Sequence, residues 1–265
     1  MKTGLTLEQL AAEITRQQSA KEDYVVNTGN LRLESYGPDL TLRVLDSDGA
    51  DRIEPLEIGD IAHRQIGTHL SIPAKYYERM RSEDPGLLAH NVNTWLERTP
   101  AQRMIRVLDG KARAYLSNRY LRMDNYSIAS AVLPILAEIP DVRIESCQIT
   151  DSRMYIKAVN PRLQEDVTPG DTVQAGVVIS NSEVGLGSVN IQPLIYRLVC
   201  SNGMVVNDAA TKRNHIGRAT DAEYLCNRGA VDTTTYLLGA AALVLAIFGL
   251  LLASRSFRRL KELHL

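Results

Sequence analysis

Residues Gln174–Met204 read QAGVVISNSEVGLGSVNIQPLIYRLVCSNGM. Two apolar runs rich in β-branched residues flank a loop of Ser, Asn and Gly, and Asn202-Gly203 closes the second run. Runs of this composition, bounded by turn residues, are strands, and the loop reads as a connector between two strands that pair.

The same period of two holds upstream from Arg103, where the chain reads as hairpin, helix, hairpin and long strands. Asp109-Gly110 predicts a two-residue type I′ turn and so a register: Leu108 with Lys111, Val107 with Ala112, Arg106 with Arg113, Ile105 with Ala114, Met104 with Tyr115. One face is then Ile105, Val107, Ala112, Ala114 and Leu116. The other carries Met104, Arg106, Leu108, Lys111, Arg113 and Tyr115. Two arginines directly opposed disfavour pairing unless an anion lies between them, so this face suits a negative partner. A second hairpin turning at Asp151-Ser152 sends Cys147, Ile149, Met154 and Ile156 inward. It sends Ser146, Gln148, Thr150, Arg153, Tyr155 and Lys157 outward.

Cations that meet phosphates, interleaved with rings on which bases stack, are what a single-stranded nucleic-acid surface needs. Arg106, Lys111, Arg113, Tyr115, Arg119, Tyr120, Arg122, Arg153, Tyr155 and Lys157 are the candidate contacts. Charged residues also occupy any solvated face of a half-exposed sheet, and that reading stays open. Ser180, Asn181, Ser182, Gly185 and Gly187 form a candidate anion loop, although it lacks the lysine and following helix of a P-loop.

Toward the N-terminus, Thr6 and Gln9 form a capping box and predict a helix from about Leu7 toward Gln17, with Leu10 and Ile14 inward. Asn30–Glu34 and Leu40–Leu45, punctuated by Gly37-Pro38, predict a strand pair. From Gly59 to Arg98 a small helical cluster follows. In it Ser71 caps one helix and Asp84-Pro85 opens another, which carries Leu88, Val92, Trp95 and Leu96 at helical spacing. A helix near Asp124 aligns Ile128, Val132, Ile135 and Ile139, with a kink at Pro134. Arg162–Gly170 reads as a polar connector.

The motifs S-N-S-E-x-G-x-G and P-L-x-Y-R-L-V-C-x-N-G-M over Ser180–Met204 resemble the phage/plasmid-like protein family described as domain of unknown function 932. Tyr115–Tyr120, Arg153–Ala158 and His215–Arg218 extend the resemblance. It implies a bacterial mobile-element context and names no reaction. The family would continue past Arg218 with polar helical sequence, where this chain turns hydrophobic.

An apolar content of 45% suffices for a core, and Lys+Arg 30 against Asp+Glu 31 leaves a formal charge of −1. Polyanion binding must therefore come from a local patch. Cys147, Cys200 and Cys226 show neither a paired framework nor metal spacing and read as reduced cytosolic thiols. The five histidines, at 63, 69, 90, 215 and 264, have no metal-ligand spacing, and no nucleophile elbow or cofactor motif occurs. Residues 58–80 resemble a helix-turn-helix only in outline, and packing is the preferred reading. The N-terminus MKTGLTLEQLAAEI carries charges where a signal peptide is apolar.

Tyr236–Ala253, YLLGAAALVLAIFGLLLA, has the length of a membrane-spanning helix at ~1.5 Å per residue against a ~30 Å hydrocarbon core. Arg255, Arg258, Arg259 and Lys261 follow it. The positive-inside rule would then keep the C-terminus in the cytoplasm and send the rest outside, for which there is no export signal. Tail anchoring and a shifted reading frame both account for this.

The sequence thus predicts an α+β fold: an antiparallel sheet built from hairpins with an N-terminal helical cluster, plus a C-terminal hydrophobic, transmembrane helix. Residues 1–230 form a soluble domain, 233–254 the helix and 255–265 a basic tail. The expected protein is a non-enzymatic accessory module without cofactor, located in the bacterial cytoplasm or anchored at the inner membrane, with single-stranded DNA as candidate partner. A nucleotide-binding protein or enzyme centred on Ser180–Ser188 with His215 and Arg218, and a membrane-anchored protein-interaction module, are the alternatives.

Overall fold

The computed structural model describes residues 4–168, 171–197, 204–205 and 211–213. They divide into two compact units, one of Arg16–Leu121 and one drawn from residues 1–15 and 122–215. Both are mixtures of helix and sheet, so the chain is α+β, with five α-helices among the described residues. Helix α1 (Leu7–Ala20) carries the chain from one unit into the other. Its capping box forms as expected: Thr6 N–H donates to Gln9 Oε1 at 3.0 Å and Gln9 N–H to Thr6 Oγ1 at 3.2 Å. Leu10 and Ile14 are buried.

In the Arg16–Leu121 unit a six-stranded sheet runs in the order β1 (Lys21–Asn27), β5 (Gln102–Leu108), β6 (Lys111–Ser117), β4 (Leu56–Ile58), β3 (Asp39–Val44), β2 (Leu31–Tyr36). Every pairing is antiparallel except β4 with β6. Helices α2 (Asp60–His69), α3 (Ala74–Glu83) and α4 (Pro85–Arg98) share its core, where Leu31, Leu33, Leu42 and Val44 meet Ile66, Tyr77, Leu88, Val92 and Leu96. Asp84 caps α4 through Leu87 N–H at 2.9 Å, whereas Pro73 and not Ser71 precedes α3. Trp95, expected beside Leu96, is exposed. Gly67 is required because a Cβ there would lie 2.9 Å from the Tyr77 ring. On edge strand β2 the Asn93 amide accepts from Leu33 N–H at 2.7 Å and donates to Leu33 C=O at 2.8 Å, satisfying the edge with a helix side chain.

Beside that packing, His63 Nδ1 lies 2.9 Å from the Tyr77 hydroxyl, with both groups buried. Burial, and then the nearby Arg81 charge, push the His63 imidazole from 6.5 down to about 4. The unfolded chain therefore binds a proton that the fold refuses. The stability His63 confers is fully present above pH 6.5 and is lost as pH falls through that window toward 4, on the order of 3 kcal/mol for a shift of this size. Urea unfolding followed by Trp95 fluorescence should show a falling midpoint from pH 7 to 4, and His63→Gln should flatten the fall. An unchanged slope would remove the histidine from the account.

The second unit holds α5 (Asn125–Glu138) and an antiparallel sheet ordered β11 (Met204–Val205), β10 (Val189–Arg197), β9 (Asp171–Asn181), β8 (Met154–Thr168), β7 (Arg143–Ile149), with β12 (Thr211–Arg213) also on β10. The β9–β10 pairing is the one expected from the quoted stretch. Residues 162–168, expected as a connector, continue β8 and pair with β9 through register shifts. Polar side chains masked a strand whose backbone is held by its neighbour. Gly176 is needed where these strands meet, since a Cβ there would sit 2.3 Å from the Ala158 carbonyl oxygen. Helix α5 buries Ile128, Val132 and Leu136 and runs continuously past Pro134.

Among the described residues no helix is long and apolar enough to cross a membrane. Tyr236–Ala253, the basic tail, His215, Arg218, His264, Cys200, Cys226 and the Asn202-Gly203 turn lie outside the described residues.

Candidate nucleic-acid interface

The first hairpin forms with the expected turn, Asp109 and Gly110 having φ of 54° and 73°. Leu108 pairs with Lys111 and Val107 with Ala112, and then the register slips: Arg106 faces Ala114, Ile105 faces Tyr115 and Met104 faces Leu116. Arg113 is the extra residue of a β-bulge, so Arg106 and Arg113 are not opposed. One inserted residue moves every later side chain of β6 to the other face.

Arg106 and Tyr115 are therefore not the open contacts that alternation suggested. Arg106 is 0% exposed and makes a bidentate ion pair with Asp23 on β1, Nε to Oδ1 at 2.8 Å and an Nη to Oδ2 at 3.0 Å. Tyr115 is buried with its hydroxyl 2.8 Å from His69 Nδ1, and Arg103 lies 5.6 Å from its ring centroid. Burial pushes the Tyr115 phenol up, and burial and then Arg103 push His69 down to about 4. Tyr120 is buried as well. Lys111 is ion-paired with Glu57, Arg113 and Arg122 are half-buried, and Arg119 is exposed just past β6.

The second hairpin keeps its expected register near the turn, Ile149 with Met154, Gln148 with Tyr155, Cys147 with Ile156 and Ser146 with Lys157. Thr150 N–H donates to Arg153 C=O at 2.9 Å across Asp151-Ser152. Cys147, Met154 and Ile156 are buried, as expected. The opposite face continues across four strands. Tyr155 lies beside Gln148 and Ser180, which faces Asn190, and Lys157 lies beside Ser146 and Val178, which faces Gln192. Tyr155 and Tyr196 flank a small buried cluster of Val159, Val178 and Leu194. Arg143, at the next position of that face, donates to Gln174 Oε1 at 3.3 Å, and the Tyr196 hydroxyl donates to Glu145 at 2.7 Å. These cross-strand rows set two cations and two tyrosines among amides, and the Glu145 carboxylate lies 3.6 Å from Arg143 Nε.

The candidate anion loop is built for another task. Ser180, Asn181 and Ser182 are buried, Gly185 supplies a φ of 76°, and Ser182 Oγ accepts from Leu186 N–H at 3.1 Å. Glu183, buried, accepts from Asn125 N–H at 2.6 Å. The Asn181 amide donates to Met123 C=O and to Asn125 Oδ1, both at 2.9 Å. Asp124 makes no side-chain cap to α5, so the loop brings its own anion to the helix N-terminus, where unpaired donors and the dipole favour one. Arg153 donates to Leu186 C=O, and its guanidinium lies within 2.7 Å of where a Gly187 Cβ would be. The loop's polar groups are thus largely spent inside the protein. Glu183 and Asn181 were missed as a unit because their partners lie 56 to 58 residues away.

Among the described residues no three His, Cys, Asp or Glu side chains converge in a way that could hold a metal ion. No curated protein and no solved structure matches the chain. Residues 114–227, which take in the Ser180–Met204 motifs and the helix-capping loop, match the model of the family described as Domain of unknown function (DUF932).

Proposed function

We propose that this chain is a non-enzymatic module that associates with single-stranded nucleic acid through the β7–β10 sheet face, in the mobile-element setting that its motifs suggest. What supports the reading is the composition of that face: Lys157 and Arg143 beside Tyr155 and Tyr196, with Gln148, Asn190 and Gln192 between them. Cations meet phosphates, half-exposed rings stack on bases, and amides meet base edges without demanding a sequence. Arg153 extends the positive groups; Arg106, Tyr115 and Tyr120 do not take part. Anisotropy of a labelled oligonucleotide on the full chain at two salt concentrations tests the reading. Lys157→Ala and Arg143→Ala should weaken binding similarly on unrelated sequences and lower the salt slope by about 0.7 each. Tyr155→Ala should weaken binding with little change in slope. An unmodified chain without salt-sensitive affinity at low ionic strength would end this reading.

A further inference from the structure

A cleft of about 500 Å³ opens in the Arg16–Leu121 unit, bounded by the end of α2, the 70–73 turn, α3 and α4. That volume lies within the range of small-molecule sites. Two of its walls are rings that the core leaves in water, Tyr76 at 49% and Trp95 at 43% exposure. Large apolar rings exposed on two neighbouring helices of one cleft are uncommon in a folded surface and mark binding sites. No lining side chain bears a carboxylate, ammonium or guanidinium group. Its polar side chains are neutral: the Asn91 amide, whose Nδ2 lies 3.2 Å from the weak acceptor Met80 Sδ, the Ser71, Tyr76 and Thr99 hydroxyls, and His69. With His69 Nδ1 engaged by Tyr115, Nε2 is that ring's remaining hydrogen-bonding atom. Burial keeps the imidazole neutral at physiological pH. Just outside, the Arg98 guanidinium sits 5.5 Å from the Trp95 ring centroid.

We propose that this cleft is a nucleobase site, in which a flat, neutral heterocycle stacks on Trp95 and Tyr76, its edge meets Asn91 and His69, and an attached phosphate meets Arg98. Each element excludes other ligands. A charged ring would enter without a counter-charge, which is costly in a desolvated site. A purely aliphatic ligand would leave the amide and imidazole unpaired. A base has two π-faces for the rings and donors and acceptors that an Asn amide matches as a pair. The shared chemistry admits two sources, a free nucleotide or an unpaired base of a strand. The site lies in a different unit from the β7–β10 face and stands without it.

Trp95 is the single tryptophan of the chain, so its fluorescence reports the cleft directly. The full chain is titrated with adenosine monophosphate and, separately, with oligo(dA), excited at the red edge where bases do not absorb. Saturable quenching by either supports the site, and the tighter of the two names the source. Tyr76→Ala and Asn91→Ala should weaken it by about tenfold or more, while Tyr76→Phe, which keeps the ring, should not. No saturable quenching by either ligand, or quenching indifferent to Tyr76→Ala, overturns the proposal whatever the anisotropy result. Equal quenching by N-acetyltyrosinamide overturns the ligand class, because the cleft would then be taking protein side chains. Quenching by the mononucleotide with no strand binding overturns the sheet-face reading and leaves this one standing.

Discussion

Asp23→Ala should destabilise the Arg16–Leu121 unit by about 3–5 kcal/mol, the largest effect expected of any single substitution in it. Asp23 holds the guanidinium of Arg106, which is 0% exposed, through two charge-assisted hydrogen bonds at 2.8 and 3.0 Å. Removing the carboxylate leaves an arginine that cannot deprotonate, cannot reach water and has lost its counter-charge. Asp23→Asn, which keeps one acceptor, should fall between. The pair need not stabilise the fold relative to apolar side chains of similar volume, so Asp23→Leu with Arg106→Met should recover most of the loss. Urea unfolding read by Trp95 fluorescence measures all three. An Asp23→Ala midpoint within experimental error of the unmodified protein would contradict the buried pair.

A second large effect is expected in the other unit. Glu183→Ala should cost about 2–3 kcal/mol, because it removes a buried charged acceptor and leaves the Asn125 N–H unpaired at the start of α5. Asn181→Ala should act in the same direction by stranding the Met123 carbonyl and Asn125 Oδ1. The two residues serve one helix start, so the double variant should lose less than the sum. Hydrogen exchange in the first turn of α5 should accelerate in each variant, together with a lower Tm. Protection in that turn unchanged by Glu183→Ala would return the loop to the anion-site reading.

Local signals alone settled much of the architecture. Thr6 and Gln9 encode a reciprocal cap, Asp84-Pro85 opens α4, Asp109-Gly110 needs two positive φ angles, and alternating apolar residues place β2 against β3. Each depends on groups within a few residues of one another, where backbone sterics and hydrogen bonding decide. The packing of Leu10, Ile14, Leu88 and Val92 was legible for the same reason, because helical period alone selects the buried stripe. The Gln174–Met204 stretch carried both its strand pairing and the motifs that lie within the family-model match.

Tertiary structure decided what those elements are for. Alternation put Arg106 on a wet face, and nothing between Arg103 and Leu116 announces the bulge at Arg113 or the strand β1 that delivers Asp23 from 83 residues away. Helical spacing grouped Trp95 with Leu96, yet a helix in a three-helix layer has room inside for only one stripe, which left the indole outside to line a cleft. Ser180–Ser188 reads in sequence as a connector between paired strands, with an anion loop as the alternative, and folding gave the connector a further task by turning its Glu183 onto the first turn of a helix that begins at Asn125. In each case a charged or polar group is placed by a partner far along the chain. Burial makes that partner obligatory through the cost of an unpaired charge, and the sequence carries no record of the distance.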